Sequence, residues 1–103
     1  MYGYVFLTTN SSTGIKFIGI NRAVKFNPHY YGDTDAISKD LATYGERAFS
    51  VAMLMPYEDE KSLVRGLDVF IKKYDAQNDP SFYNSDKPAK RTRKKKVDDE
   101  SLS

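Results

Sequence analysis

The chain has 103 residues, 40% hydrophobic and 29% charged, enough for one small domain with a modest core and too few for a multidomain enzyme. It holds no cysteine and a single histidine, which excludes disulfide frameworks, thiolate metal sites, cysteine nucleophiles and a His-rich metal centre. The formal charge of +2 is unevenly spread: residues 1–85 carry nine Lys/Arg against ten Asp/Glu, and residues 86–103 carry seven against four.

Residues 2–9 alternate Tyr2, Tyr4, Phe6 and Thr8 with Gly3, Val5, Leu7 and Thr9, an aromatic and β-branched pattern that predicts a strand. Asn10-Ser11-Ser12-Thr13-Gly14 supplies a turn, and 15–20 the returning strand of a hairpin. Residues 21–32, with Asn27-Pro28 and Gly32, read as irregular. Asp33, Thr34 or Asp35 can cap a helix carrying Ile37, Leu41 and Tyr44, stopped by Gly45. Residues 48–55 predict a third strand, apolar on both faces and hence central or covered, ended by Pro56. A second and longer helix begins near Glu58-Asp59-Glu60, carries Leu63, Val64, Leu67, Phe70, Ile71 and Tyr74 as its apolar stripe, and ends with Lys72-Lys73 at the negative end of its dipole. Residues 75–85 read as a loop returning to the body. The expected fold is α+β: a small three-stranded antiparallel sheet with flanking helices in the order ββαβα.

Residues 86–103 form a second region. Six basic residues, Lys90, Arg91, Arg93, Lys94, Lys95 and Lys96, fall in seven positions and an acidic block, Asp98-Asp99-Glu100, follows. With so little apolar content this tail is expected to be disordered when free. Its charge suits phosphate contact, with a log–log salt slope of roughly −5 on duplex DNA for about six contacts, and equally suits a solubilising tail or, in a nucleated host, a nuclear-localisation signal. No apolar run is long enough to span a bilayer, and Met1-Tyr2-Gly3-Tyr4 opens no signal peptide. A soluble protein is expected, cytoplasmic or nucleoid-associated, or nuclear in a eukaryotic host.

Tyr4-Val5-Phe6, a polar turn, and then Phe17-Ile18-Gly19 resembles a variant of the paired signature of the GIY-YIG nuclease family. Further landmarks follow in order: Ile37 to Gly45 with its Tyr-Gly end, the strand Phe49 to Leu54, the helix end Asp68 to Tyr74, and Tyr83-Asn84. The resemblance covers residues 2 to about 85. It implies a Mg²⁺-dependent DNA endonuclease fold, with two motif tyrosines, a basic residue, a metal-binding glutamate and a terminal asparagine. In this sequence the tyrosine positions correspond to Phe6 and Phe17, the arginine position to Asn27 and the glutamate position to Leu67, while Gly19 and Asn84 match. Phenylalanine has no hydroxyl to orient water or move a proton, and leucine cannot anchor a divalent cation. The resemblance therefore implies a degenerate module with no cofactor, unless Tyr4, Arg22 and His29 stand in for the missing groups and Mg²⁺ is used after all.

The expected function is nucleic-acid binding, DNA in particular, by a catalytically inactive module of a small viral or mobile-element protein. Arg22, Lys25, Tyr30 and Tyr31 would act from a sheet face, together with the six basic tail residues. One alternative is an adaptor or inhibitor that binds a host or viral protein through the acidic residues Asp33, Asp35 and Asp40 or Glu58, Asp59 and Glu60. Another is a divergent metal-dependent endonuclease. Oligomeric state is not legible in the sequence.

Overall fold

The computed structural model describes residues 1–85. The basic tail residues Lys90, Arg91, Arg93, Lys94, Lys95 and Lys96, and the expectation of disorder there, lie outside the described residues.

Strand β1 runs Gly3–Asn10 and β2 Lys16–Asn21. The turn between them forms because Asn10 and Thr13 accept backbone N–H groups two residues on, from Ser12 at 3.0 Å and Ile15 at 3.1 Å, which are local bonds that compete well with an extended ladder. Helix α1 spans Asp35–Tyr44, a single 3-10 turn covers Glu46–Ala48, β3 spans Phe49–Tyr57 and α2 spans Glu60–Lys73. Thr34 caps α1 by accepting from Ile37 N–H, and Gly45 closes it with a bond to the Leu41 carbonyl. Asp59 caps α2 by accepting from Ser62 N–H, and this helix-end bond lowers the carboxyl pKa.

The three strands form one antiparallel sheet in the order β2-β1-β3, so the ββαβα expectation holds. The position of β3 corrects the sequence reading, because β1 is central and β3 is an edge with Met53 and Met55 exposed. Apolarity misled here. The strand buried on both sides carries Thr8 and Asn10, whose polar groups are satisfied internally: Thr8 Oγ1 donates to the Tyr31 carbonyl at 2.7 Å and Asn10 Nδ2 to Tyr83 Oη at 3.1 Å. Nor does Pro56 end β3. An edge strand tolerates a residue without N–H, and the pairing with β1 continues through it to Tyr57, past a register shift opposite Val5 and Phe6.

Side-chain alternation along β1 and β2 gives the sheet two covered faces. On one, Val5 and Ile18 pack with Leu63, Ala76 and Phe82, backed by Leu67, Phe70 and Ile71 of α2. On the other, Tyr31, Ile37 and Phe49 form a second cluster with Phe17 and Leu41. The inward arc of α2 is narrower than its sequence suggests: Gly66 is buried, whereas Val64 is 46% exposed, since it lies about 100° around the helix from Leu63. Asp40, expected on an acidic outer face, is instead buried on α1 and accepts a 2.6 Å hydrogen bond from Tyr83 Oη.

Residues 75–85 do return to the body, and they extend the sheet. Phe82 bridges Lys16 in parallel, Lys16 N–H donates to the Ser81 carbonyl at 2.9 Å, and Tyr83 N–H donates to the Lys16 carbonyl. Asn84 continues the pattern with its side chain, accepting from Ile18 N–H at 2.9 Å and donating to the Ile18 carbonyl at 2.8 Å. Among the described residues no helix is long and apolar enough to cross a membrane.

Candidate functional site

Lys16 and Ile18 turn their backbone groups away from β1, so by strand alternation Ile20 is the next residue to do so. The cover supplied by residues 81–84 stops short of it. At this point the edge of β2 opens into a cleft of about 450 Å³. Phe6, Phe17 and Tyr30 line one side, Leu67 and Ile71 the other, and Ile20, Asn21 and Asn84 the ground between them. Arg22 and Asp33 also line it, and they are its only charged side chains among the described residues.

The aromatic side is built by close packing. Phe6 is 1% exposed, with its ring centroid 6.0 Å from Phe17 and 5.6 Å from Tyr30, the latter edge-on at 77°. Gly19 permits this: a Cβ there would lie 2.5 Å from the Phe17 ring and 2.8 Å from the Phe6 ring. Phe17 and Tyr30 remain half-buried. Burial first, then the Asp33 carboxylate, raises the Tyr30 phenol pKa, so Tyr30 is a neutral hydrogen-bonding aromatic at physiological pH.

Arg22 is held by a partner that the sequence reading assigned to a cap or contact surface. Glu60, in the first turn of α2, accepts from Arg22 Nε and Nη2 at 2.7 Å each, and from Tyr2 Oη at 2.6 Å. Both charged side chains are about half exposed. The geometry is the two-pronged Arg–carboxylate pairing that fixes orientation, and it uses two of the roughly five guanidinium N–H groups. The hydrogen bonds from Arg22 and Tyr2 lower the Glu60 carboxyl pKa to about 2, and the same pairing raises that of Arg22. A depressed carboxyl stabilises the fold above its unfolded value, near 4.5, and loses that contribution as pH falls toward 2. In a carboxyl-detected NMR titration Glu60 is expected to titrate last among the glutamates, and in Arg22→Ala to return toward the ordinary range. An ordinary Glu60 titration in the unaltered protein would contradict the pairing.

The three candidates for catalysis do not meet. Tyr4 is fully buried and its hydroxyl accepts from Asn27 N–H at 2.9 Å and Asn21 Nδ2 at 3.0 Å, so it serves as an internal anchor. His29 is exposed, with Nδ1 3.8 Å from Glu46 and 3.5 Å from Tyr31 Oη, outside the cleft lining. Arg22 alone of the three lines the cleft. Tyr31 is buried against Phe49, a core role that replaces the expected surface one, and burial followed by Glu46 raises its pKa. Lys25 is exposed, as is Asn27, whose side-chain oxygen accepts from His29 N–H. Tyr30, Arg22, Phe6, Phe17, Gly19, Leu67 and Asn84 do converge.

The sequence reading missed Glu60 as the partner of Arg22 and Asp33 as a cleft residue. The only signal for either was charge near a helix start, which normally marks a cap. Asp33 is the one carboxylate among the described residues that line the cleft, and Leu67 occupies the position where the resemblance puts a metal-binding glutamate. Among the described residues there is no cluster of three His, Cys, Asp or Glu able to hold a divalent cation.

Fold and cleft together define a small α+β domain whose site lies at the partly capped edge of β2. Over 58 residues the chain is 36% identical to the protein named "Putative endonuclease segE" of Enterobacteria phage T4; the shared stretch is 56% of this chain and 28% of that protein. The chain thus matches little more than a quarter of that relative's length. No known family's sequence pattern matches the chain, and no solved structure does.

Proposed function

We propose that this chain is a nuclease-derived, phage-type module that binds DNA at the β2-edge cleft without cutting it by GIY-YIG chemistry. The observation that carries the reading is the lining of the cleft, which includes the phenyl rings of Phe6 and Phe17 and the isobutyl group of Leu67, at the positions for which the resemblance implies two tyrosines and a glutamate. Partial similarity to a phage protein named as an endonuclease supports the nuclease ancestry. Arg22 is the phosphate contact, preset by Glu60 with guanidinium N–H groups to spare. Lys25 and the basic run at 90–96 add non-specific attraction, offsetting a body whose net charge is −1.

The test titrates the full-length protein against labelled single-stranded, duplex and branched DNA with Mg²⁺, reading native and denaturing gels in parallel. DNA that is shifted and intact is expected, with Arg22→Ala weakening binding severalfold and reducing the salt slope by about 1. Cleaved DNA that Arg22→Ala leaves intact would replace this reading with a divergent endonuclease. Neither shift nor cleavage would replace it with the protein-binding adaptor.

A further inference from the structure

The cleft has a shape and charge that select among nucleic acids. Its volume of about 450 Å³ falls within the range of small-molecule sites, far below what a duplex occupies. A duplex-reading surface presents several cations spaced to meet two phosphate rows, whereas among the described residues this cleft has one, Arg22, and sets the Asp33 carboxylate in its lining as well. A ligand that suits it is flat and apolar where it meets Phe17 and Tyr30, polar at its edge, and singly anionic at the end that meets Arg22.

We propose that the cleft is a slot for one unpaired nucleobase, with Arg22 on the adjoining phosphate, so that the nucleic acid taken is single-stranded or locally unpaired. The proposal rests on the nucleic-acid reading above and names its substrate class. Phe17 and Tyr30 are half-buried and keep ring surface for stacking, while Phe6, 1% exposed, is the rigid backing that fixes both. Every base has a π-face, so aromatic stacking of this kind is tolerant of sequence. The edge of the base meets hydrogen-bonding groups of both kinds. The outward N–H and C=O of Ile20 extend the ladder that Ser81, Tyr83 and Asn84 have begun to cover, and Asp33 adds an acceptor. A base paired inside a duplex can offer neither its face nor its pairing edge to such a slot without first leaving the stack.

The test uses the full-length protein at a fixed salt concentration and an oligonucleotide with one 2-aminopurine, presented single-stranded or annealed. The single strand is expected to bind more tightly than the duplex, with the probe's fluorescence quenched on binding. Phe17→Leu is expected to weaken single-strand binding about tenfold, the scale of one lost stacking contact, and to weaken it more than duplex binding. A single strand with three consecutive abasic residues at its centre should reproduce that loss on the unaltered protein, which keeps the proposal testable if Phe17→Leu perturbs folding. Equal affinity for both forms, with no quenching and no effect of Phe17→Leu, would overturn the slot while Arg22-dependent binding left the nucleic-acid reading standing. No binding of any oligonucleotide would overturn both. Deoxyadenosine monophosphate shifting the Phe17 and Tyr30 ring resonances while oligonucleotides do not would overturn the strand assignment in favour of a free nucleotide.

Discussion

Gly32→Ala is expected to lower the unfolding free energy by about 3 kcal/mol, seen as a fall in the urea midpoint at constant slope. Two costs combine. Gly32 has φ of +129°, a region that residues with a Cβ enter at roughly 1–3 kcal/mol. A Cβ there would also stand 2.8 Å from both Ile37 Cδ1 and Phe17 Cε2, and core overpacking typically adds about 1–3 kcal/mol. The total stability of a body this size is on the order of 4–13 kcal/mol, so the loss is a large fraction of the whole. Gly14→Ala separates the two costs. Gly14 also has positive φ, at +78°, but an added Cβ meets nothing within 4 Å, so only the backbone cost of about 1 kcal/mol should appear. Equal losses at the two glycines would show that residue 32 is not packed against Ile37 and Phe17 as described.

This glycine also marks where local sequence stops being informative. The hairpin and both helices were legible because their determinants are local: turn residues at 10–14, Thr34 and Asp59 as caps, and apolar spacing at Ile37 and Leu41 or Leu63 and Leu67. The path of residues 22–32 was not, since it is set by distant contacts, Tyr4 Oη to Asn27 N–H and Thr8 Oγ1 to the Tyr31 carbonyl. Strand order failed for a related reason. The segment 48–55 has no charge on either face, as a central strand would, yet the centre belongs to β1, whose Thr8 and Asn10 look exposed in sequence and are paired in the fold.

The candidate site divides in the same way. Phe6, Phe17 and Gly19 were singled out by the resemblance of the hairpin to the paired GIY-YIG signature, and their convergence with Leu67 and Asn84 follows once α2 and residues 81–84 pack on the sheet. The Arg22–Glu60 pairing joins positions 38 apart and has no periodic signature. Glu60 reads as an ordinary first-turn acid because it satisfies that role too. Its second role depends on where α2 begins relative to the end of β2, which is a property of the packed sheet and helix.

Tyr4→Phe tests whether the anchor beneath residues 22–32 shapes the cleft. The substitution keeps the ring, its packing on Phe26 at 5.6 Å and its edge contact with Phe6 at 6.2 Å, and removes only the hydroxyl. Two donors, Asn27 N–H and Asn21 Nδ2, then lose their acceptor next to a fully buried side chain. The cost expected for leaving such groups unsatisfied is about 2 kcal/mol. Amide hydrogen exchange should localise the change, with Asn27 and its neighbours exchanging faster while the β1 and β2 amides shift only with global stability. Because the same segment carries Arg22 and Tyr30 into the cleft, single-strand affinity should fall as well, although Tyr4 lies outside the cleft lining. An affinity loss without faster exchange at Asn27 would mean that Tyr4 reaches the ligand directly, and the burial of its hydroxyl would have to be relieved on binding.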